Sequence, residues 1–142
     1  MIVVDDHLLL DVLDATIRPQ LADLLLGHEI ATTPSWYFRL ARAVASERTE
    51  GSLTRRFADL AAQHRRQLQT ALASLPDSIA LVDARIAITV MVAVSEATRA
   101  NLLTAEAIAT SLIFDANIAV SIASPLLADA TRTGCLTDSL GA

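Results

Sequence analysis

Apolar and polar positions follow one another along this chain in a repeated strand-then-helix order. Ile2 to Asp5 is a short apolar run ending in acids, the pattern of a strand buried on both faces. Leu8 to Leu13 predicts a short helix, and Pro19 opens another through Leu26 that Gly27 closes, proline being suited to a first helical turn. Glu29 to Thr32 predicts a second strand. Thr33-Pro34-Ser35 then opens a helix over Trp36 to Ser46, with Trp36, Leu40, Ala43 and Val44 as its apolar stripe. After the Gly51-Ser52 break, the periodicity predicts one long amphipathic helix from Leu53 to Leu75, stopped by Pro76-Asp77. Ile79 to Val82 is a third strand, and Asp83 caps a helix running to Arg99. Thr104-Ala105-Glu106 starts a further helix ending near Phe114, with Asn117 supplying the turn. Ile118 to Ile122 is the fourth strand, Pro125 to Thr131 a short helix, and Cys135 to Thr137 an edge strand.

Strands alternating with helices imply an α/β fold. The expectation is a three-layer sandwich: a central, mostly parallel sheet of four to five strands with helices on both faces. No repeat, linker or low-complexity stretch divides residues 1–142, so one domain is expected.

Composition narrows the chemistry. The chain is 53% apolar, which argues against disorder, and its net charge of −5 gives no overall attraction to nucleic acid or anionic membrane. Every basic side chain apart from histidine is arginine, and the arginines are unevenly placed. Seven of the eleven lie between Arg39 and Arg66 with only three acids among them, so this stretch is net +4 and the remainder net −9. Arg39, Arg42, Arg55, Arg56, Arg65 and Arg66 are therefore candidate binding residues, for the phosphates of an RNA or for an acidic peptide. The alternative is a solvated helix face in an arginine-biased sequence. Cys135 is alone, and no His/Cys spacing suits zinc. No glycine-rich phosphate loop is present, so a nucleotide cofactor is not expected. The Ile86 to Val94 run, broken only by Thr89, is nine residues, too short for a bilayer, which takes about 20. With Met1 running straight into a strand, a cytoplasmic protein is expected. A helix this apolar all round is either buried centrally or placed at a subunit interface, so a homodimer is expected as well.

Four segments in order carry a family resemblance. Ile2-Val-Val-Asp-Asp-His-Leu-Leu-Leu-Asp-Val-Leu is similar to the first strand, metal-binding acid and short helix of the PIN domain, the fold of VapC-type toxins of toxin–antitoxin pairs. Thr33-Pro-Ser-Trp-Tyr-Phe-Arg-Leu-Ala-Arg-Ala-Val resembles its third helix. Leu103-Thr-Ala-Glu-Ala-Ile-Ala-Thr-Ser-Leu resembles the helix that brings a second cluster of acids. Ile118-Ala-Val-Ser-Ile-Ala-Ser-Pro-Leu-Leu-Ala-Asp-Ala resembles its last core strand, acidic loop and closing helix. The resemblance covers nearly the whole length and implies a PIN-like sandwich with Mg²⁺- or Mn²⁺-dependent ribonuclease chemistry, three or four carboxylates holding the metal.

The acids themselves transfer poorly. Asp5 stands at the family's first acid, but Arg39, Thr104 and Ser124 stand at the other three acid positions. An arginine there would repel a divalent cation and could pair with Asp5. Asp6 and Glu106 are the substitutes a working nuclease would need. Successive strand residues face opposite sides unless the strand has ended, which bears on Asp6. Glu106 is rotated about 200° from the Thr104 position on a helix. The resemblance thus implies a degenerate nuclease that binds an antitoxin-like peptide, RNA or a second copy of itself, and needs no cofactor. The alternative is a Mg²⁺-dependent ribonuclease built on Asp5, Asp6 and Glu106.

The same opening residues, Val3-Val-Asp-Asp-His-Leu, also resemble a response-regulator receiver domain. That fold needs an acceptor acid at the end of a third strand near position 50 and a lysine near the last loop. Ala45 to Gly51 sit in or after a helix, and the chain has no lysine. His7 and His64 read as ordinary polar residues and His28 as loop, and Trp36 and Tyr37 as packing rather than base-stacking groups. Ser35, Ser95 and Ser124 lack the glycine context of a nucleophile elbow.

Overall fold

The computed structural model describes residues 1–14, 19–121 and 137–139. In chain order the elements are β1 (Ile2–Val4), α1 (Asp6–Leu13), α2 (Pro19–Leu25), β2 (Ile30–Thr32), α3 (Pro34–Ala45), α4 (Ser52–Ala58), α5 (Ala62–Ala73), β3 (Ile79–Leu81), α6 (Ala84–Thr98), α7 (Leu102–Phe114), β4 (Asn117–Val120) and β5 (Thr137–Ser139). The strands form an all-parallel sheet in the order β3-β2-β1-β4, with β5 paired in parallel outside β4.

Strand pleating divides the core. Ile2 and Val4 face one side of the sheet with Leu8, Leu9, Leu40, Phe57 and Leu68, where α1, α3, α4 and α5 pack. Val3, between them, faces the other side with Trp36, Val94, Ala105 and Ile108, under α6 and α7. Neighbouring strands keep this phase, since Val3 lies beside Ala31 and Ile118 and all three belong to the second cluster. The result is the α/β sandwich with helices on both faces that the pattern predicts. Trp36 is core and Tyr37 donates its hydroxyl to the Leu72 carbonyl, so both pack as expected.

Helix boundaries follow local chemistry where a capping side chain exists. Thr33 caps α3 through Trp36 N, Asp83 caps α6 through Arg85 N, and Asn101 caps α7 through Thr104 N. Gly27, after α2, takes φ +76, the left-handed conformation in which glycine pays no Cβ penalty.

Three expectations need correction. The helix predicted over Leu53 to Leu75 is two helices broken at Asp59–Ala61. Neither proline nor glycine marks the break and Ala61 has no capping side chain. A local bond spans it: Arg65 Nη1 donates to the Ala58 carbonyl at 3.1 Å, satisfying an end of α4. The turn assigned to Asn117 belongs to Asp115, which is left-handed at φ 49, and Asn117 opens β4. The edge strand expected at Cys135 to Thr137 is found at Thr137–Ser139. The helix predicted over Pro125 to Thr131, the position of Ser124 and the residue Cys135 lie outside the described residues.

Candidate functional site

The chain runs outward from β1 through β2 to β3, then returns to lay β4 on the other side of β1. The sheet therefore changes direction between β1 and β4, and ligands of open α/β sheets bind at the carboxyl ends beside such a switch. Asp5 stands at this point, at the end of β1 and as the N-cap of α1. Only 7% of it is exposed.

Both oxygens of its carboxylate accept hydrogen bonds from the protein. Oδ1 accepts from Leu8 N at 2.9 Å, closing the first turn of α1. Oδ2 accepts from Ser121 N at 2.7 Å and from Ser121 Oγ at 2.8 Å, and Ser121 is the first residue past β4. One side chain thus ties β1, α1 and β4 together across the switch point. Ser121 has no sequence signal beyond its place at a strand end, and the sequence reading missed it in favour of Ser124.

Asp6 lies beside Asp5 in the interior, because β1 ends at Val4 and the strand alternation no longer applies. Its Oδ1 accepts from His7 N at 3.0 Å. Its Oδ2 stands 3.1 Å from Arg39 Nε without a directed hydrogen bond. Arg39 therefore pairs with Asp6, which corrects the expectation that it pairs with Asp5. Burial pushes the Asp6 carboxyl above its ordinary 3.8; Arg39 opposes that shift, Asp5 adds to it, and His7 and its backbone N–H oppose it.

This shift gives a prediction with a definite sign. The folded chain keeps the Asp6 proton over an interval in which the unfolded chain has lost it. The resulting stabilisation is complete below 3.8 and disappears as pH rises through the raised value. The stability of the wild type relative to Asp6→Asn, followed by urea unfolding from about pH 3.5 to about pH 7, should fall as pH rises. A rise would show that the Arg39 pair outweighs burial.

Asp11 of α1 and Asp14, its C-cap, are paired as well. Asp11 pairs with Arg56 of α4, and Asp14 with His64 of α5 at 3.2 Å between Oδ1 and Nδ1. Arg56 Nη1 also donates to the His7 carbonyl and to His7 Nδ1, each at 3.1 Å. His7 Nε2 lies 3.1 Å from Ser52 Oγ. His7 is thereby built into the contact between α1 and α4. Helices α3, α4 and α5 bring Arg39, Arg56 and His64 to the acids of α1 and its C-cap.

Glu106 is buried in α7, and its Oε2 accepts from Ser35 N at 3.1 Å. Together with Thr33 Oγ1 on Trp36 N, it satisfies the free N–H groups at the start of α3. Thr104 is buried in the first turn of α7, its N–H capped by Asn101. Among the described residues, Asp5 accepts from three N–H and O–H donors, Asp6 faces a guanidinium and Glu106 accepts at the start of α3. Among the described residues no group of three or more His, Cys, Asp or Glu side chains is placed to hold a metal ion.

Of the six candidate binding arginines, Arg39 and Arg56 reach α1 and Arg65 reaches Ala58. Arg42, Arg55 and Arg66 are exposed. A cleft of about 340 Å³ lies between the end of α3 and the start of α4, lined among others by Arg39, Arg42, Arg48, Glu50 and Ser52. Arg48 is at 3.9 Å from Glu50, both largely in solvent, so this pair leaves most of the positive charge available. Arg48 joins the cleft from the loop after α3.

Comparison with models of known protein families, with curated proteins and with solved structures finds no match to this chain. The α/β sheet and its switch-point site therefore stand on their own geometry. No single helix among the described residues is long and apolar enough to cross a membrane.

Proposed function

We propose that this chain is a PIN-like domain whose acidic centre has become a structural tie, and that it acts by binding RNA rather than by cutting it. The observation that carries the reading is the Asp5 carboxylate. Both oxygens already accept hydrogen bonds, from Leu8 N, Ser121 N and Ser121 Oγ, which leaves less of the carboxylate for a cation. The resemblance in element order supports the family, and the parallel sheet with an acid at the carboxyl end of β1 agrees with it.

The binding face is the cleft of Arg39, Arg42 and Arg48, next to Asp6. Guanidinium groups present paired N–H donors that match phosphate oxygens. In a chain of net charge −5 this local concentration of arginine would take a few phosphates, not a long duplex.

Fluorescence anisotropy with a labelled single-stranded RNA, titrated at several salt concentrations, tests the proposal. Binding should weaken with salt, and Arg42→Glu with Arg48→Glu should lower affinity at least about tenfold and flatten the salt slope by roughly one to two. A poly-glutamate peptide that competes as well as RNA would move the reading to an acidic protein partner. Incubation with RNA and Mg²⁺ or Mn²⁺ should leave the RNA intact. Cleavage abolished by Asp5→Asn, at a temperature where that variant is folded, would overturn the binding reading in favour of the nuclease.

A further inference from the structure

Helix α6 is apolar nearly all round, yet only one side of it packs. Ala87 and Val94 are buried, and Val90 and Met91 are partly so, against the second core cluster. Ile86, Ile88 and Val92 are each 58% exposed, and among the described residues nothing covers them. At about 100° per residue, Arg85, Thr89, Val92 and Glu96 fall in a narrow stripe opposite the buried side, with Ile88 on one flank and Ile86 and Ala93 on the other. All are exposed. Their spacing of four, three and four residues is that of a helix-pairing seam.

The charges in that stripe are reversed for a solitary helix. Arg85 lies in the first turn, at the positive end of the helix dipole, and Glu96 in the last turn, at the negative end. Neither makes an ion pair with another described residue. An antiparallel second α6 removes both conflicts. A two-fold axis between Val90 and Met91 sets Arg85 opposite the other copy's Glu96, Ile88 opposite Ala93, and Thr89 opposite Val92. Each charge then meets its opposite and lies beside the favourable end of the other helix. A surface that complements itself about a two-fold axis is what an isologous dimer requires.

We propose that this chain forms a homodimer through an antiparallel pairing of its α6 helices, with Val92 in the seam and Arg85 and Glu96 locking both ends. A lipid surface or an unrelated protein would bury the same aliphatic groups. Neither would explain why the two charges stand at opposite ends with signs that oppose their own helix.

Sedimentation equilibrium of the full chain and its variants tests this. The wild type should be dimeric at micromolar concentration. Arg85→Glu and Glu96→Arg should each weaken association about tenfold or more, because each sets like charges against one another twice per dimer. The double variant Arg85→Glu/Glu96→Arg should recover association to within about threefold of wild type, since the swapped charges again complement. Val92→Glu should give a monomer. Circular dichroism should show all four variants folded, as every change is at an exposed position. A monomeric wild type at about 100 μM, single variants that dimerise normally, or a double variant no better than the singles would each overturn the proposal. So would a monomer that sediments with phosphatidylcholine vesicles in a manner abolished by Val92→Glu.

Discussion

Replacing Asp5 with asparagine should destabilise the folded chain by about 2–4 kcal/mol, among the largest effects of any isosteric change in the molecule. The amide oxygen can still accept from Leu8 N. The amide nitrogen must then take the place of Oδ2, facing the Ser121 N–H. Ser121 Oγ can rotate to accept from it, but the Ser121 N–H is left buried against another donor. On a chain of this length the melting temperature should fall by roughly 10 °C. Equilibrium urea unfolding of the two proteins at neutral pH measures the difference. The sign separates two roles for the residue. An acid kept for a metal stands among like charges, and removing it from the empty site relieves repulsion and stabilises. An unchanged or raised stability in Asp5→Asn would therefore contradict the structural role.

Arg56→Ala should cost about 1–3 kcal/mol, a range reduced because the guanidinium is partly in solvent. The arginine joins α4 to Asp11, to the His7 carbonyl and to the His7 ring, and removing it takes a cation away from a carboxylate that is almost fully buried. The loss should be local before it is global. Amide hydrogen exchange should rise in α4 and the first turns of α1 while β1 and β4 stay protected. Exposed Arg55, one residue earlier, is the control: Arg55→Ala should change stability by less than about 0.5 kcal/mol. Equal effects at the two positions would show that the α1–α4 contact does not depend on this arginine.

The neighbouring arginines Arg55 and Arg56 show where sequence reasoning reached its limit. Both belong to the same positive stretch, and nothing local distinguishes the one in solvent from the one under α1. The distinction depends on Asp11, 45 residues away. Glu106 is a similar case. Its helical rotation away from Thr104 was legible, but not its bond to Ser35, which arises only because α7 is stacked against the start of α3. The break at Asp59–Ala61 was hidden because the apolar spacing from Leu53 to Leu72 suits one straight helix and neither proline nor glycine stands at the break.

The sequence by itself determined the sheet and most of its helices. Short apolar runs, capping residues at Thr33, Asp83 and Asn101, and a glycine after α2 act over a few residues, where spacing and side-chain chemistry are sufficient. It also placed an acid, Asp5, at the carboxyl end of the first strand. Only the tertiary structure decided what that acid does. Laying β4 beside β1 brings Ser121 across 116 residues to the Asp5 carboxylate, so that one side chain joins two strands and the helix between them.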